Sequence, residues 1–305
     1  MALVLVYISK ESQIMDTKPY KIGYIALSLD NSFSATICHS LQEEAAKHPE
    51  IELIVRDSQF DSQKTLSYVN EFAEIPVDLA IIFQIDERLA PTLGTILMKK
   101  RVKIIAQDIH IPMQTFFGIN NQRAGYLAGE TLGKWVQANW DGYVDRILLM
   151  TDTRIVRSIR ERLDHAVSAL SSILKFDPDI IFPLDGGAVR SDARERVNAV
   201  LPSWSNFHHI AVATINDDSA LGVLDAARAQ GREQDVVVAG QGATLHEEEF
   251  RRPGSRFIAS IDYHPEQYGV KLIDLALRML HGERTARENY IEPSVITREM
   301  FLNQK

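Results

Sequence analysis

Directional hydrogen-bonding side chains recur at one kind of place in this chain, immediately after short apolar runs. Asp30-Asn31-Ser32-Phe33 follows "IGYIAL", and Gln107-Asp108-Ile109-His110 closes and follows "KIIA". Asn120-Asn121 follows "TFFGI", and Arg154, Arg157 and Arg160 follow "RILLMTD". Asn216-Asp217-Asp218 follows "HIAVATI", Gln241-Gly242 ends "DVVVAG", and Asp262-Tyr263 ends "FIASIDY". Planar amides, carboxylates and guanidinium groups donate and accept in fixed directions, which suits a polyhydroxylated ligand. Interspersed aromatic rings can cover the apolar faces of sugar rings. The same Asn, Asp and Ser types cap helices at strand–helix junctions as a matter of course. Capping is therefore the first reading for each residue singly, and the constellation alone speaks for a site.

Other chemistries lack their residues. "HEEEF" (246–250) has Phe250 where a zinc hydrolase needs its second histidine. No Gly-x-Ser-x-Gly elbow and no Gly-x-x-x-x-Gly-Lys-Ser/Thr loop occurs. "VVVAGQGATLHEEEF" (236–250) carries Gly240 and Gly242, but the third small residue of a dinucleotide fingerprint is replaced by Leu245. Cys38 is the single cysteine, which excludes an internal disulfide and a cysteine-based metal site, and it lies mid-helix on a packed face. His208-His209 reads as a surface pair. Trp135 and Trp140 read as packing residues, and Trp204, in a Pro202-flanked loop, stays open as a stacking platform. No catalysis, cofactor or metal is expected.

The elements that must position these residues alternate. Apolar runs at 22–27, 51–57, 79–83, 103–108 and 115–119 read as strands, with helical periodicity at 32–48, 62–75 and 89–101 between them. A long helix at 121–140 restarts the rhythm. Strands follow at 146–152, 179–185, 209–215, 235–240 and 257–263, separated by helices at 158–174, 191–201 and 218–231. A helix at 265–282 and an extended tail at 289–300 close the chain. Alternation at this spacing predicts α/β architecture with parallel sheets and right-handed crossovers, in two rounds and hence two lobes. Ligands of open α/β sheets sit outside the carboxyl ends of the strands, so two such sheets place the site in the cleft between them.

The bulk properties agree. The 305 residues are 45% hydrophobic and 24% charged, with net charge −8 and no basic block. That balance argues against a nucleic-acid surface. Residues 1–20 read as a leader or an extra strand, since the apolar stretch 2–8 has neither a basic start nor a cleavage signal.

Read in order, "IGYIALSLDNSFSATICHSLQEEA", "RDSQFDSQKTLSYVNEFAEIPVDLAIIF", "FFGINNQRAGYLAGETLGKWV", "INDDSALGVLDAARAQGREQDVVVAGQG" and "ASIDYHPEQYGVKLIDLALRMLHGE" resemble the type I periplasmic binding proteins. The likeness is to the sugar-binding branch shared by ribose/galactose-type receptors and the effector domains of lactose-repressor-like regulators, and it covers residues 21–300. It implies two Rossmann-like lobes joined by three crossovers, with residues 21–118 plus 264–285 in the first lobe and 119–263 plus 286–305 in the second. It implies ligand contacts from Asn31, Phe33, Asp108, Arg160 and Asn216, with Gln241 and Tyr263 beside them. Asp108 and Arg160 would grip ring hydroxyls, and Phe33 would stack.

The chain also departs from the family pattern. Ser34 stands where a second aromatic is common, Ile109 where an Arg often follows the Asp, Ala188 for an aromatic, Tyr263 for a Gln and Gly242 for a sugar-binding Asp. The function implied is a receptor for a sugar or polyol that feeds an ABC transporter permease from the periplasm. The alternative is the sensor domain of a cytoplasmic, homodimeric transcriptional regulator without its DNA-binding head.

Overall fold

The structure, a computed structural model, describes residues 18–153 and 156–303. Of residues 1–20, read as a leader or an extra strand, 1–17 lie outside the described residues, as does Arg154, and Tyr20 already begins the first strand.

Two six-stranded sheets carry the chain. The first contains β1 (Tyr20–Ala26), β2 (Ile51–Asp57), β3 (Leu79–Phe83), β4 (Lys103–Gln107), β5 (Thr115–Ile119) and β11 (Glu288–Ile291), in the order β11-β5-β4-β3-β1-β2. The second contains β6 (Arg146–Thr151), β7 (Ile181–Asp185), β8 (Ile210–Thr214), β9 (Val236–Gly242), β10 (Phe257–Asp262) and β12 (Ser294–Thr297), in the order β12-β10-β9-β8-β6-β7. All pairings are parallel except the antiparallel β10–β12 edge. Parallel strands covered on both faces read as continuous apolar runs. β3, "LAIIF", is buried at every position.

The helices are α1 (Ser32–Ala45), α2 (Ser62–Glu74), α3 (Ala90–Lys99), α4 (Asn121–Asn139), α5 (Arg157–Ile173), α6 (Arg190–Val200), α7 (Asp217–Ala229), α8 (His246–Arg251), α9 (Tyr268–Leu280) and α10 (Arg298–Leu302). The chain passes between the sheets from β5 to α4, from β10 to α9, and from β11 to β12. This matches the expected α/β architecture of two lobes with parallel sheets and three crossovers.

One boundary is corrected. The resemblance places 286–305 in the second lobe, but Glu288–Ile291 pairs in register with Phe116–Ile119 at the edge of the first sheet. The tail therefore returns to the first sheet before β12 joins the second. Its end is helical from Arg298 rather than extended, with the Thr297 side chain capping Met300 N–H.

Trp204 is corrected too. It is buried in the second-lobe core, edge-on to Phe182 at a centroid distance of 5.0 Å, and is no stacking platform. Cys38 is buried on α1, as expected of a packed face.

Candidate functional site

The carboxyl ends of the two sheets face each other across a cleft. A cavity of about 180 Å³ lies there, and a wider crevice of about 780 Å³ adjoins it. Asn31, Ile85, Ile159, Arg162, Asn216 and Asp218 line both. The smaller cavity is also lined by Phe33, Asp108, Gln241 and Tyr263, so six of the seven candidate residues meet there.

Arg160 does not join them. It is exposed on α5 and absent from the lining, whereas Arg162 lies in the cleft. Positions two apart on a helix do not share a face. The signal is present in the sequence: Ile159, Arg162, Leu163 and Ala166 follow the i, i+3, i+4, i+7 stripe of the packed face. Arg162 Nε donates to Asn121 Oδ1 at 2.7 Å and Nη1 to the Ile215 carbonyl at 3.0 Å, which leaves Nη2 without a hydrogen-bond partner among the described residues. Its guanidinium lies 4.8 Å from the centroid of the Tyr263 ring, within the range of a cation–π contact.

The two asparagines cap and line at once. Asn31 Oδ1 accepts from Ser34 N–H at 3.0 Å at the start of α1, and Asn216 Oδ1 accepts from Ser219 N–H at 2.9 Å at the start of α7. Asn216 Nδ2 donates to the Ala188 carbonyl at 2.8 Å.

Asp108 is held in the left-handed region, at φ 59°. Asp tolerates that region better than most residues. Its Oδ1 accepts from Tyr268 OH at 3.0 Å and from Ile119 N–H at 3.3 Å. A Cβ on Gly118 would lie 2.6 Å from that oxygen, so glycine there makes room for the carboxylate. Burial pushes the Asp108 carboxyl above its ordinary range, against hydrogen bonds from Tyr268, Gln107 and Ile119 that pull it down.

Gln241 and Tyr263 form a buried pair, with Tyr263 OH donating to Gln241 Oε1 at 2.7 Å. Gly242, beside them on the lining, has φ 108°. That conformation favours glycine. A Cβ there would meet nothing within 4 Å. Phe33 sits edge-on to Phe83, Tyr263 and Tyr268, at centroid distances of 6.4, 5.9 and 5.8 Å.

Two carboxylates outside the candidate set complete the site. Asp217 is buried and accepts from Ser260 Oγ at 2.6 Å, Thr244 N–H at 3.1 Å and Leu245 N–H at 3.2 Å. Burial raises its carboxyl to about 7 despite those donors. A Cβ on Gly240 would lie 2.3 Å from Asp217 Oδ1, so the first glycine of the "GQG" turn serves this carboxylate. Asp218 lines the cleft with no hydrogen bond or ion pair among the described residues. Its carboxyl is raised by burial, with Arg190 pulling the other way.

The walls differ in polarity. The first-lobe wall is Leu27, Phe33, Phe83, Ile85, Ile109 and Ile119, with Asn31, Ser32 and Asp108 as its polar members. On the second-lobe side, among the described residues, Ile159 is the one aliphatic chain beside Asn121, Arg162, Asn216, Asp217, Asp218, Gln241, Thr244 and Tyr263. Away from the cavity, Asp262, His264 and Glu266 bring one metal-ligating atom each within 4.8 Å of one another. Both imidazole nitrogens of His264 are engaged within the protein, Nδ1 with Asp262 and Nε2 with Ser294 Oγ, each at 3.1 Å.

Residues 22–284 match the family described as periplasmic binding protein domain. The ribose import binding protein RbsB of Salmonella typhimurium is 24% identical over 281 residues, covering 91% of this chain and 90% of that protein. Among solved structures, an ABC transporter periplasmic solute binding protein from Actinobacillus succinogenes with bound D-allose superposes with a TM-score of 0.79 at 20% identity, over 94% of this chain and 100% of that one. An ABC transporter solute binding protein from Bacillus halodurans with bound myo-inositol gives 0.79 at 22% identity, over 95% and 98%.

Proposed function

Because the chain belongs to the periplasmic binding protein domain family, matched over residues 22–284, we propose that it is a solute-binding receptor. In this reading it closes on a carbohydrate-like small molecule, a sugar or polyol, and presents it to an ABC transporter permease outside the cytoplasm. The observation that carries the reading is the cavity between the carboxyl ends of two parallel sheets, with Asn31, Phe33, Asp108, Arg162 and Asn216 gathered around it. Such a receptor performs no chemistry. Its affinity comes from buried, paired hydrogen bonds and ring contacts, and hydrogen bonds to charged groups are worth about 1.5–3 kcal/mol each.

Asp108 holds hydroxyls from the first lobe, and Arg162 and Asp218 hold them from the second, each with bonding capacity left for a ligand. The names of the relatives support this class: one is a ribose import protein, and two neighbours carry allose and myo-inositol. A relative concerned with import, covered over 90% of its length, favours the receptor over the regulator's sensor domain.

A thermal-shift screen of pentoses, hexoses, polyols and nucleosides tests this. A ligand at a hundredfold excess over its dissociation constant should stabilise the chain by about 2.7 kcal/mol. Arg162→Lys should weaken that ligand at least about tenfold, since a point charge does not replace the fork, while Arg160→Lys should leave it unchanged. Silence across all sugars and polyols, with a clear shift from another class, would overturn the carbohydrate assignment.

A further inference from the structure

We infer that the ligand is an amphipathic ring, a deoxy or O-methylated sugar or cyclitol. Its carbon-rich edge lies against the first lobe and its hydroxyl edge against the second. The inference rests on the proposed carbohydrate-receptor function and narrows its substrate class.

The argument begins with supply and demand at the first-lobe wall. Six of its nine lining side chains are apolar, and they come from four separate places: after β1, in α1, at and after β3, and after β4 through β5. The apolar side chains therefore span the sheet end and are not a single stray residue. The polar members of this wall are few, and what they leave for a ligand is the remaining lone-pair capacity of Asp108, Asn31 Nδ2 and Ser32 Oγ. Asp108 accepts from Tyr268, Ile119 and Gln107, and the Asn31 carbonyl caps α1. A hydroxyl turned toward the six apolar side chains of this wall loses its water and finds no replacement. A hydrogen or methyl group in the same place loses nothing polar and gains contact with apolar surface. Ile109, Ile119 and Phe83, which supply that surface, are all at least nine-tenths buried.

Within the inner cavity, the described residues of the opposite wall have the reverse character. Arg162 Nη2 and the Asp218 carboxylate have no hydrogen-bond partner among the described residues. One offers donors and the other acceptors, so vicinal hydroxyls on one edge of a ring can satisfy both. The exposed Ile85 and Phe60 of the first lobe carry the apolar character into the adjoining crevice, where Val156, Ala188, Val189 and Ile215 of the second lobe also line it, and a methyl substituent would leave the inner cavity there.

Matched ligand pairs test this on the unaltered protein by isothermal titration calorimetry. The pairs are D-galactose with D-fucose, L-mannose with L-rhamnose, D-ribose with deoxy-D-ribose, and D-glucose and myo-inositol each with its O-methyl ethers. The tightest binder should be a deoxy or methylated member, exceeding its parent about tenfold, the size of effect that one apolar-pocket group supplies. A parent that binds as tightly as its derivatives, or more tightly, would overturn the inference and leave the receptor reading intact. No binding by any member would remove both.

Discussion

Asn31 and Asn216 show why single residues at strand ends are ambiguous in sequence. Their carbonyl oxygens cap helices while their side chains still line the cavity, so the structural and the ligand-facing uses coexist. Asp217 shows the same economy with a different result. Its carboxylate is spent on Ser260, Thr244 and Leu245, and it shapes the loop after β9. Its carboxyl is raised from 3.8 to about 7 in the folded chain. Between those limits the folded state holds the proton more tightly than the unfolded state, so this group's contribution to stability declines as pH rises from about 4 to about 7. Asp217→Asn should flatten that decline in urea unfolding measured at a series of pH values. An unchanged slope would show that the carboxyl titrates normally in the fold.

At the scale of elements, α4 and α5 set the second-lobe wall. Built Cβ atoms on Gly125 and Gly129 would lie 2.1 Å from the backbone oxygens of Arg162 and Ala166. The two helices therefore approach as closely as glycine permits. Gly125 thus fixes the depth at which Arg162 enters the cleft. Gly125→Ala should cost about 1–3 kcal/mol of stability through overpacking and also weaken ligand binding by displacing Arg162. Gly129→Ala, one turn along, should cost similar stability with a smaller effect on affinity. Unfolding curves paired with titration calorimetry separate the two, and equal affinity losses would refute the positioning role.

At the scale of the molecule, three crossing segments join the two lobes, and two of them are tied to one another. His264, at φ 52° after β10, bonds Asp262 on its own crossing and Ser294 on the β11-to-β12 crossing. Hinge closure needs only a few residues at such points to absorb the backbone change. Solution X-ray scattering should show a smaller radius of gyration when the sugar or polyol with the largest thermal shift is added. An unchanged radius at saturation would exclude closure as the binding step.

The two-lobed α/β plan follows from the amino-acid pattern alone. Fully buried parallel strands such as "LAIIF" leave uninterrupted apolar runs, and the residues that follow them must reach a sheet's carboxyl end. The pattern placed Asn31, Phe33, Asp108, Asn216, Gln241 and Tyr263 near one another for the same reason. Arg162 was legible in principle, on the helical stripe that begins at Ile159, while Arg160 sits off it. Tertiary structure alone decided the rest. Which sheet the edge strand Glu288–Ile291 joins depends on a partner far back in the chain, Phe116–Ile119, and no local pattern encodes that choice. The contrast between an apolar wall and a polar one likewise arises only when side chains from distant loops are brought face to face. Periodicity records which side of its own element a residue occupies, but not what stands across the cleft.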